Sequence, residues 1–275
     1  MSPSSSIRSL PSALARQDEI AERMAGRTPV VFLDYDGTLT PIVDDPAKAT
    51  LPPGTRDAID HLKTRCSVAI ISGRTLDEVR EMVGVERIHY VGSHGFEIRD
   101  PDGTLHHKGE EYLPALARSA ERLERRLEDI RGTWVERKGF AVAVHYRRLE
   151  DPEQEPLVAA AVDRTAREEP SLRKTSGKKV HELRPGMEWD KGKALLWVLD
   201  VLGADADGHI PLYIGDDLTD EDAFRALADR GIGIVVEGED DRDTVADYSL
   251  SDPDAVRRFL EALAALRDDA SSDRP

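Results

Sequence analysis

Two aspartates, Asp34 and Asp36, directly follow an apolar run that spans residues 30–33. Alternate residues of an extended strand point the same way, so the two carboxylates can converge if that geometry persists at the strand end. Converging carboxylates repel each other unless a cation or a shared proton compensates their charge. A divalent metal would compensate it, and an all-oxygen ligand set favours Mg²⁺ over zinc.

Two further apolar runs end in side chains that suit the same chemistry. Ser72, in "ISGR", could donate a hydrogen bond to an anion, and Asp216, in "YIGDDLTDED", is placed to complete the metal site. Asp217 and Asp220 could ligate the metal through water or simply cap the following helix. Capping is the simpler interpretation for the acidic residues 220–222, because carboxylates stabilise the first turn of a helix.

The elements around these residues alternate between short β-rich runs and stretches of helical periodicity. "PVVFLDYD", "CSVAIISGR", "IPLYIGDD" and "IGIVVEG" read as buried strands, and "LPPGTRDAIDHLKTR", "TLDEVREMVG" and "TDEDAFRALADRG" read as helices. This alternation predicts an α/β fold with a parallel sheet. Ligands of such sheets bind beyond the carboxyl ends of the strands, where the candidate residues lie.

The pattern changes between about residues 108 and 186, where one long amphipathic helix is followed by short strands and a second helix. "TWVERKGFAVAVHYRRL" predicts two strands joined around Lys138 and Gly139, and "SLRKTS" and "KKVHELRP" predict two more. We therefore predict an inserted α+β domain at 108–186 within a core formed by 1–107 and 187–275.

Composition excludes several classes of partner. The formal net charge of −16 argues against nucleic-acid binding, whereas local basic stretches suit a small anion. The single cysteine, Cys66, predicts a buried inert thiol, and no run of about 18 apolar residues or signal-peptide core is present. We expect a cytoplasmic monomer without membrane partners.

The acidic run "EGEDDRDTVADYSLSD" and the tail "RDDASSDRP" read as solvated surface or a frayed terminus. The first 25 residues read as a short helix or loose chain.

Four ordered motifs, "DYDGT", "ISGR", "DKGKAL" and "GDDLTDED", resemble those of the haloacid dehalogenase superfamily of phosphotransferases. The resemblance covers most of the chain and implies a Rossmann-like core with an inserted cap domain. It implies that Asp34 is the nucleophile that becomes an aspartyl phosphate and that Asp36 is the general acid and base. Lys191 would neutralise charge at both the nucleophile and the phosphoryl group.

The same resemblance assigns phosphate and metal ligands. The phosphate would be bound by Thr38, Ser72, Gly73 and Lys191. Mg²⁺ would be held by Asp34, the main-chain carbonyl of Asp36 and Asp216, with Asp217 and Asp220 as possible outer ligands.

Within the superfamily, "GSHGFE", "RK", "HYR" and "GKKVHELRP" are similar to segments of trehalose-6-phosphate phosphatases. This resemblance implies Mg²⁺-dependent hydrolysis of trehalose 6-phosphate, a small-molecule substrate, under a mobile lid formed by the inserted domain. The residues that would bind the sugar are His94, Lys138, Arg147, Lys178 and Glu182, with weaker matches at Glu97 and Arg184.

Other interpretations are open for these residues and for the activity. Lys138 can serve a hairpin turn, Arg147 can face solvent on an edge strand, and His94 can stabilise a turn beside Gly95. The aromatic residues Trp134, Tyr146, Trp189 and Trp197 could stack on sugar, although packing explains them as well. The chain could instead hydrolyse sucrose phosphate or a mannosyl phosphoglycerate, act as a sugar-phosphate mutase, or be an inactive sensor. A sensor would have lost a catalytic residue, whereas Asp34, Asp36, Lys191 and Asp216 are all present.

Overall fold

The polypeptide folds into two units, Met1–His106 with Trp189–Pro275, called the core unit, and His107–Glu188, called the inserted unit. The boundaries predicted from sequence were 107/108 and 186/187. The computed structural model describes residues 4–43, 48–177, 179–204, 208–228 and 230–272.

The strands and helices are numbered in chain order. The strands are β1 Ser5–Ser6, β2 Thr28–Leu33, β3 Ser67–Ile71, β4 His89–Gly92, β5 Glu97–Arg99, β6 Leu105–His107, β7 Trp134–Lys138, β8 Ala141–His145, β9 Leu172–Gly177, β10 Val180–Pro185, β11 His209–Gly215, β12 Ile232–Val236, β13 Asp243–Thr244 and β14 Tyr248–Leu250. The helices are α1 Gln17–Met24, α2 Thr55–Leu62, α3 Leu76–Val83, α4 Leu113–Leu127, α5 Glu155–Glu168, α6 Lys191–Val201, α7 Asp220–Leu227 and α8 Pro253–Ser272.

An eight-stranded sheet in the order β14-β12-β11-β2-β3-β4-β5-β6 forms the centre of the core unit. The strands from β14 to β4 pair in parallel, and β5 is antiparallel to β4. The apolar run of β2 is buried on both faces, since Val31 and Leu33 pack in one apolar cluster and Val30 and Phe32 in another. The predicted α/β class with a parallel sheet is confirmed.

Because β2, β3 and β11 are adjacent and parallel, their carboxyl ends lie at the same edge of the sheet. Asp34, Ser72 and Asp216 are the first residues after these strands. The helix that follows β3 is closed by Gly84, as the sequence predicts, and it begins with a capping box between Thr75 and Glu78.

The acidic segments that read as solvated surface are more ordered than predicted. "DTVADYSL" contains β13 and β14, with Tyr248 and Leu250 buried. The tail 267–275 continues α8 as far as Ser272, and its last three residues lie outside the described residues.

The inserted unit consists of an antiparallel sheet in the order β7-β8-β10-β9, with α4 and α5 packed on one face. Its apolar cluster includes Leu123 of α4, Val158 of α5, Val144 of β8 and Leu183 of β10. Glu182 lies on the other face, because side chains alternate along a strand. His181 and Leu183, rather than Val180, are the neighbours that turn inward.

Two smaller predictions concern burial and membranes. The single cysteine, Cys66, is buried, as predicted. Among the helices of the described residues, none is both long and apolar enough to cross a bilayer.

Candidate active site

The carboxylate of Asp34 is buried at the end of β2 and contacts the ammonium group of Lys191. Lys191 Nζ donates to Asp34 Oδ1 at 2.7 Å, and the Asp34 amide donates to the Ile214 carbonyl of β11 at 2.9 Å. Lys191 is the first residue of α6, whose N-terminus is capped by the Asp190 carboxylate. The cap and the strand end therefore fix both partners of this ion pair.

A second buried carboxylate, that of Asp220, shares the lysine. Lys191 Nζ donates to Asp220 Oδ1 at 2.6 Å, and the hydroxyl of buried Tyr213 donates to the same oxygen at 2.5 Å. Asp220 Oδ2 accepts the amides of Asp216 and Asp217, both at 2.9 Å. Asp220 is thus not a solvent-exposed helix cap: it fixes the lysine and the turn that precedes α7.

Asp217 forms the local turn instead. Its Oδ1 accepts the amide of Thr219 at 2.8 Å and that of Asp220 at 3.1 Å. It stabilises the start of α7, which is the capping interpretation that the sequence left open for it.

The electrostatics of this cluster indicate an excess of negative charge. Burial raises the pKa of Asp34 well above its usual range, although Lys191 opposes the shift, and Asp220 and Asp216 add to it. Burial also raises the pKa of Asp216, to about 7, and Asp220 and Asp217 contribute to that shift. Desolvation lowers the pKa of Lys191, but Asp220 and Asp34 outweigh it and leave that pKa well above its usual value. One ammonium therefore does not balance the buried carboxylates.

A divalent cation fits the remaining charge. Asp34, Asp216 and Asp220 each offer a carboxylate oxygen within 4.8 Å of the others. Both oxygens of Asp220 already accept hydrogen bonds, so Asp34 and Asp216 are the better candidates for direct ligands. An all-oxygen donor set of this kind suits Mg²⁺. The glycine at position 37 is required here, because a Cβ there would overlap the Asp216 carboxylate.

The Asp36 carboxylate pairs with Arg74 and is not part of the group that Asp34 forms with Asp216 and Asp220. β2 ends at Leu33, and the following turn is closed by the amides of Leu39 and Thr40, which donate to the Tyr35 carbonyl. The Asp36 carboxylate accepts two hydrogen bonds from Arg74, Nε to Oδ2 at 2.7 Å and Nη2 to Oδ1 at 2.6 Å. It is half-exposed and separate from the Asp34–Asp216–Asp220 cluster.

The predicted phosphate ligands of the core unit lie at the same sheet edge. Thr38 is buried, and its hydroxyl donates to Asp216 Oδ1 at 3.4 Å. Ser72 Oγ accepts the Arg74 amide at 3.2 Å at the end of β3. Gly73 approaches the His94 ring so closely that a Cβ would collide with it.

The predicted sugar-binding residues of the core unit belong to a turn after β4. His94 has a left-handed backbone, with φ of 55°, and its amide donates to the Ser72 carbonyl at 3.0 Å. The Glu97 carboxylate accepts a hydrogen bond from the Ser93 hydroxyl. The turn is therefore tied to the loop that carries Ser72.

Three predicted residues of the inserted unit lie together on the helix-free face of its sheet. Glu182 Oε2 accepts from Arg184 Nε at 2.9 Å, and Lys138 Nζ lies 3.8 Å from Glu182 Oε1. Arg147 is exposed just beyond the end of β8, and Lys178 lies outside the described residues.

Several residues near these sites were not singled out from the sequence. They include Arg74, which binds Asp36, Tyr213, which binds Asp220, and Glu136 and His145, which pair at 2.8 Å beside Lys138. Arg74 is the last residue of the quoted "ISGR" motif, so the sequence already places it near the site. The sequence does not identify Tyr213 as a site residue, because an aromatic residue in a buried strand resembles any other core residue.

Comparison with known proteins places these residues in a family. Residues 32–254 match the family model described as trehalose-phosphatase. A trehalose-phosphate phosphatase of Mycobacterium tuberculosis (strain ATCC 25618 / H37Rv) is 46% identical over 89% of this chain. This chain spans only 63% of that relative's length. Trehalose-phosphate phosphatase B of Arabidopsis thaliana is 41% identical over 92% of this chain and 71% of its own length.

A solved structure agrees with these matches. The C-terminal domain of a Candida albicans trehalose-6-phosphate phosphatase superposes with a TM-score of 0.73 at 26% identity, over 94% of this chain and 99% of that domain.

The role of Asp220 predicts a large effect of Asp220→Asn. The amide nitrogen of asparagine cannot accept a hydrogen bond. In either orientation of the side chain it would therefore face two hydrogen-bond donors. Buried Lys191 would also lose one of the negative charges that neutralise it. We expect a loss of about 3–5 kcal/mol in the free energy of unfolding, measured in urea. Asp222→Asn, on the same helix but half-exposed, should cost less than about 1 kcal/mol. Equal losses in the two variants would contradict this role of Asp220.

Proposed function

The chain belongs to the trehalose-phosphatase family, and from this premise we propose that it hydrolyses trehalose 6-phosphate to trehalose and inorganic phosphate. The observation that supports this most directly is the buried contact between Lys191 and Asp34 beside the carboxylate of Asp216. It joins a fixed nucleophile, a fixed cation and a candidate metal ligand at one sheet edge. Bound Mg²⁺, held by Asp34, Asp216 and the Asp36 carbonyl, would neutralise charge on the phosphoryl group.

In the first step, an Asp34 carboxylate oxygen attacks phosphorus, the bond between phosphorus and the sugar oxygen breaks, and an aspartyl phosphate forms. Lys191 holds the nucleophile and offsets the charge that its attack brings to the phosphoryl oxygens. Asp36 gives a proton to the departing sugar oxygen. Thr38 and the Ser72–Gly73 turn are the proposed donors to the transferred phosphoryl group.

In the second step, water attacks the phosphorus of the aspartyl phosphate and gives a proton to Asp36, and Asp34 leaves as a carboxylate. Arg74 binds both oxygens of Asp36 and is itself anchored over the Tyr35 ring, 5.4 Å from its centroid. This fork orients the ionised Asp36 carboxylate for its role as a base, and one of the two hydrogen bonds opens when Asp36 carries the proton that it gives to the sugar oxygen.

The inserted unit is proposed to supply sugar specificity. Lys138, Glu182 and Arg184 offer both donors and acceptors on one sheet face, and carboxylates accept well from sugar hydroxyls. His94, Glu97, Arg147 and Lys178 are further proposed contacts. The proposed partner of the protein is therefore a small sugar phosphate rather than a nucleic acid or a membrane.

The direct test is phosphate release from a panel that contains trehalose 6-phosphate, sucrose phosphate, mannosyl phosphoglycerate and glucose 6-phosphate. We expect turnover of trehalose 6-phosphate to exceed that of the others, to stop on chelation and to return with Mg²⁺. Asp34→Asn should lose at least about 10³-fold in kcat, since an amide cannot act as the nucleophile. Preference for another member of the panel would reassign the substrate, and absence of turnover with all of them would favour a sensor.

Asp36→Asn should separate the two chemical steps. A 4-nitrophenolate group leaves without protonation, whereas a sugar alkoxide needs a proton, so the variant should still form the phosphoenzyme from 4-nitrophenyl phosphate. Hydrolysis of that intermediate should be slower by about 10²–10⁴-fold, because water loses its base. Rapid-quench measurements should then show a burst of about one nitrophenolate per enzyme.

The control for this experiment is Asp77→Asn, which changes an exposed carboxylate on α3 and should behave as the wild type. A variant of Asp36 with wild-type turnover of trehalose 6-phosphate would refute the acid–base assignment.

Glu182→Ala should reduce kcat/KM for trehalose 6-phosphate by about 10- to 100-fold, the effect of losing contacts worth about 1–3 kcal/mol. Turnover of 4-nitrophenyl phosphate, which lacks the sugar, should change by less than about threefold. Glu150→Ala, at an exposed position of the same unit, is the matched control. Equal losses with both substrates would show that Glu182 supports the fold or the chemistry instead of recognition.

A further inference from the structure

Arg242 holds the backbone of the turn that carries Asp216. This arginine immediately precedes β13, and its Nη2 donates to the main-chain carbonyls of Asp216 and Asp217, both at 2.9 Å. The amides of the same two residues donate to Asp220. The turn is therefore bound from its carbonyl side by a guanidinium and from its amide side by a carboxylate.

The guanidinium is itself fixed by a buried partner. Arg242 Nη1 donates to Glu221 Oε1 at 2.5 Å, and the second oxygen of Glu221 accepts the Val245 amide at 3.1 Å. The Glu221 side chain is 4% exposed and that of Arg242 is 20% exposed. A forked, largely buried pair of this kind has few alternative geometries, because each change would leave a buried donor or acceptor unpaired.

The N-terminal segment Ser5–Arg8 fixes the chain on both sides of Arg242. β1 pairs with β13, and the Ile7 amide donates to the Arg242 carbonyl at 3.0 Å. The Ser6 hydroxyl and the Arg8 amide donate to the carboxylate of Asp241, at 2.7 and 3.2 Å. The Ile7 side chain is buried in the apolar cluster that includes Val30 and Phe32 of β2. The segment is thus anchored in the core rather than loose.

We propose that Arg242 is a positioning residue for the metal ligand Asp216, and that the N-terminal segment keeps Arg242 in place. The inference rests on the proposed function, in which Asp216 binds Mg²⁺. A turn already held in one geometry needs little further ordering when the cation binds. Partners that orient a metal ligand typically change metal affinity by about 10- to 100-fold.

The test measures Mg²⁺ binding by calorimetry in the absence of substrate. Arg242→Lys keeps a positive charge beside Glu221, but one ammonium cannot reproduce the fork that reaches both carbonyls and the carboxylate. We expect the Kd for Mg²⁺ to rise by about tenfold or more, with an unchanged circular-dichroism spectrum. At saturating Mg²⁺, KM for the sugar phosphate should stay within about twofold of the wild type, which a general loss of structure would not allow.

The contribution of the N-terminal segment is measured with Asp241→Ala, which removes the acceptor for Ser6 and Arg8. It should raise the Kd by a smaller factor, and the double variant with Arg242→Lys should bind Mg²⁺ no more weakly than Arg242→Lys alone. This non-additivity follows because both changes act through the same guanidinium. Arg257→Lys, on α8 where the arginine pairs with Asp254 and Glu261, is the matched control and should leave the Kd unchanged.

An unchanged Kd in folded Arg242→Lys would overturn the proposal, and additive effects would overturn the part assigned to the N-terminal segment. If Arg242→Lys does not fold, the Kd of Asp241→Ala decides: an increase supports the proposal and no change contradicts it. A wild type that binds no Mg²⁺ would contradict the proposed function as well. Wild-type Mg²⁺ binding without turnover of trehalose 6-phosphate would contradict only the proposed substrate.

Discussion

The ammonium of Lys191, buried between Asp34 and Asp220, is the interaction on which the arrangement of the site depends. Removing three charged groups from water is costly, and their attraction offsets that cost only when the geometry is good and the other hydrogen-bonding positions are filled. In this site those positions are filled. Tyr213 and two backbone amides donate hydrogen bonds to the Asp220 carboxylate, and the Asp190 side chain caps the helix that carries the lysine. The lysine thus joins the end of β2 to the turn after β11, which brings Asp34 close to Asp216.

Gly37 and Gly215 lie where the backbone approaches a carboxylate of this cluster closely. A Cβ at Gly37 would overlap the Asp216 carboxylate, and a Cβ at Gly215 would overlap Asp220. Gly37 also has φ of 86°, a conformation that side chains disfavour. The absent side chains allow the carboxylates to approach the backbone closely. Burial, together with the neighbouring carboxylates, raises the pKa of Asp34 and Asp216, and a divalent cation would compensate the same crowding of negative charge.

The parallel sheet and the positions of Asp34, Ser72 and Asp216 were predictable, because uninterrupted apolar runs identify buried strands and the chemistry lies directly after them. Three features were not. Asp36 pairs with Arg74, 38 residues later in the chain, after a turn that strand periodicity does not describe. Asp220 has the sequence signature of a helix cap, and only the lysine brought from a distant helix distinguishes it from one. Arg242 lies in a charged run that reads as surface, yet Glu221, 21 residues earlier in the chain, pairs with it. Each miss is a long-range contact between polar residues, for which local sequence carries little information.

The two units differ in how they balance charge, and under the proposed function the difference would suit the two parts of a sugar phosphate. In the core unit, the carboxylates of Asp34, Asp216 and Asp220 outnumber the one ammonium among them, which would favour a cation. On the sheet face of the inserted unit, Glu136 and Glu182 lie beside Lys138 and Arg184, so acids and bases already compensate each other. A self-compensated surface gains little from binding an ion but offers many directed donors and acceptors. In the proposed reaction, such a surface would discriminate neutral hydroxyl groups, whereas the phosphate would depend on the uncompensated charge of the core unit.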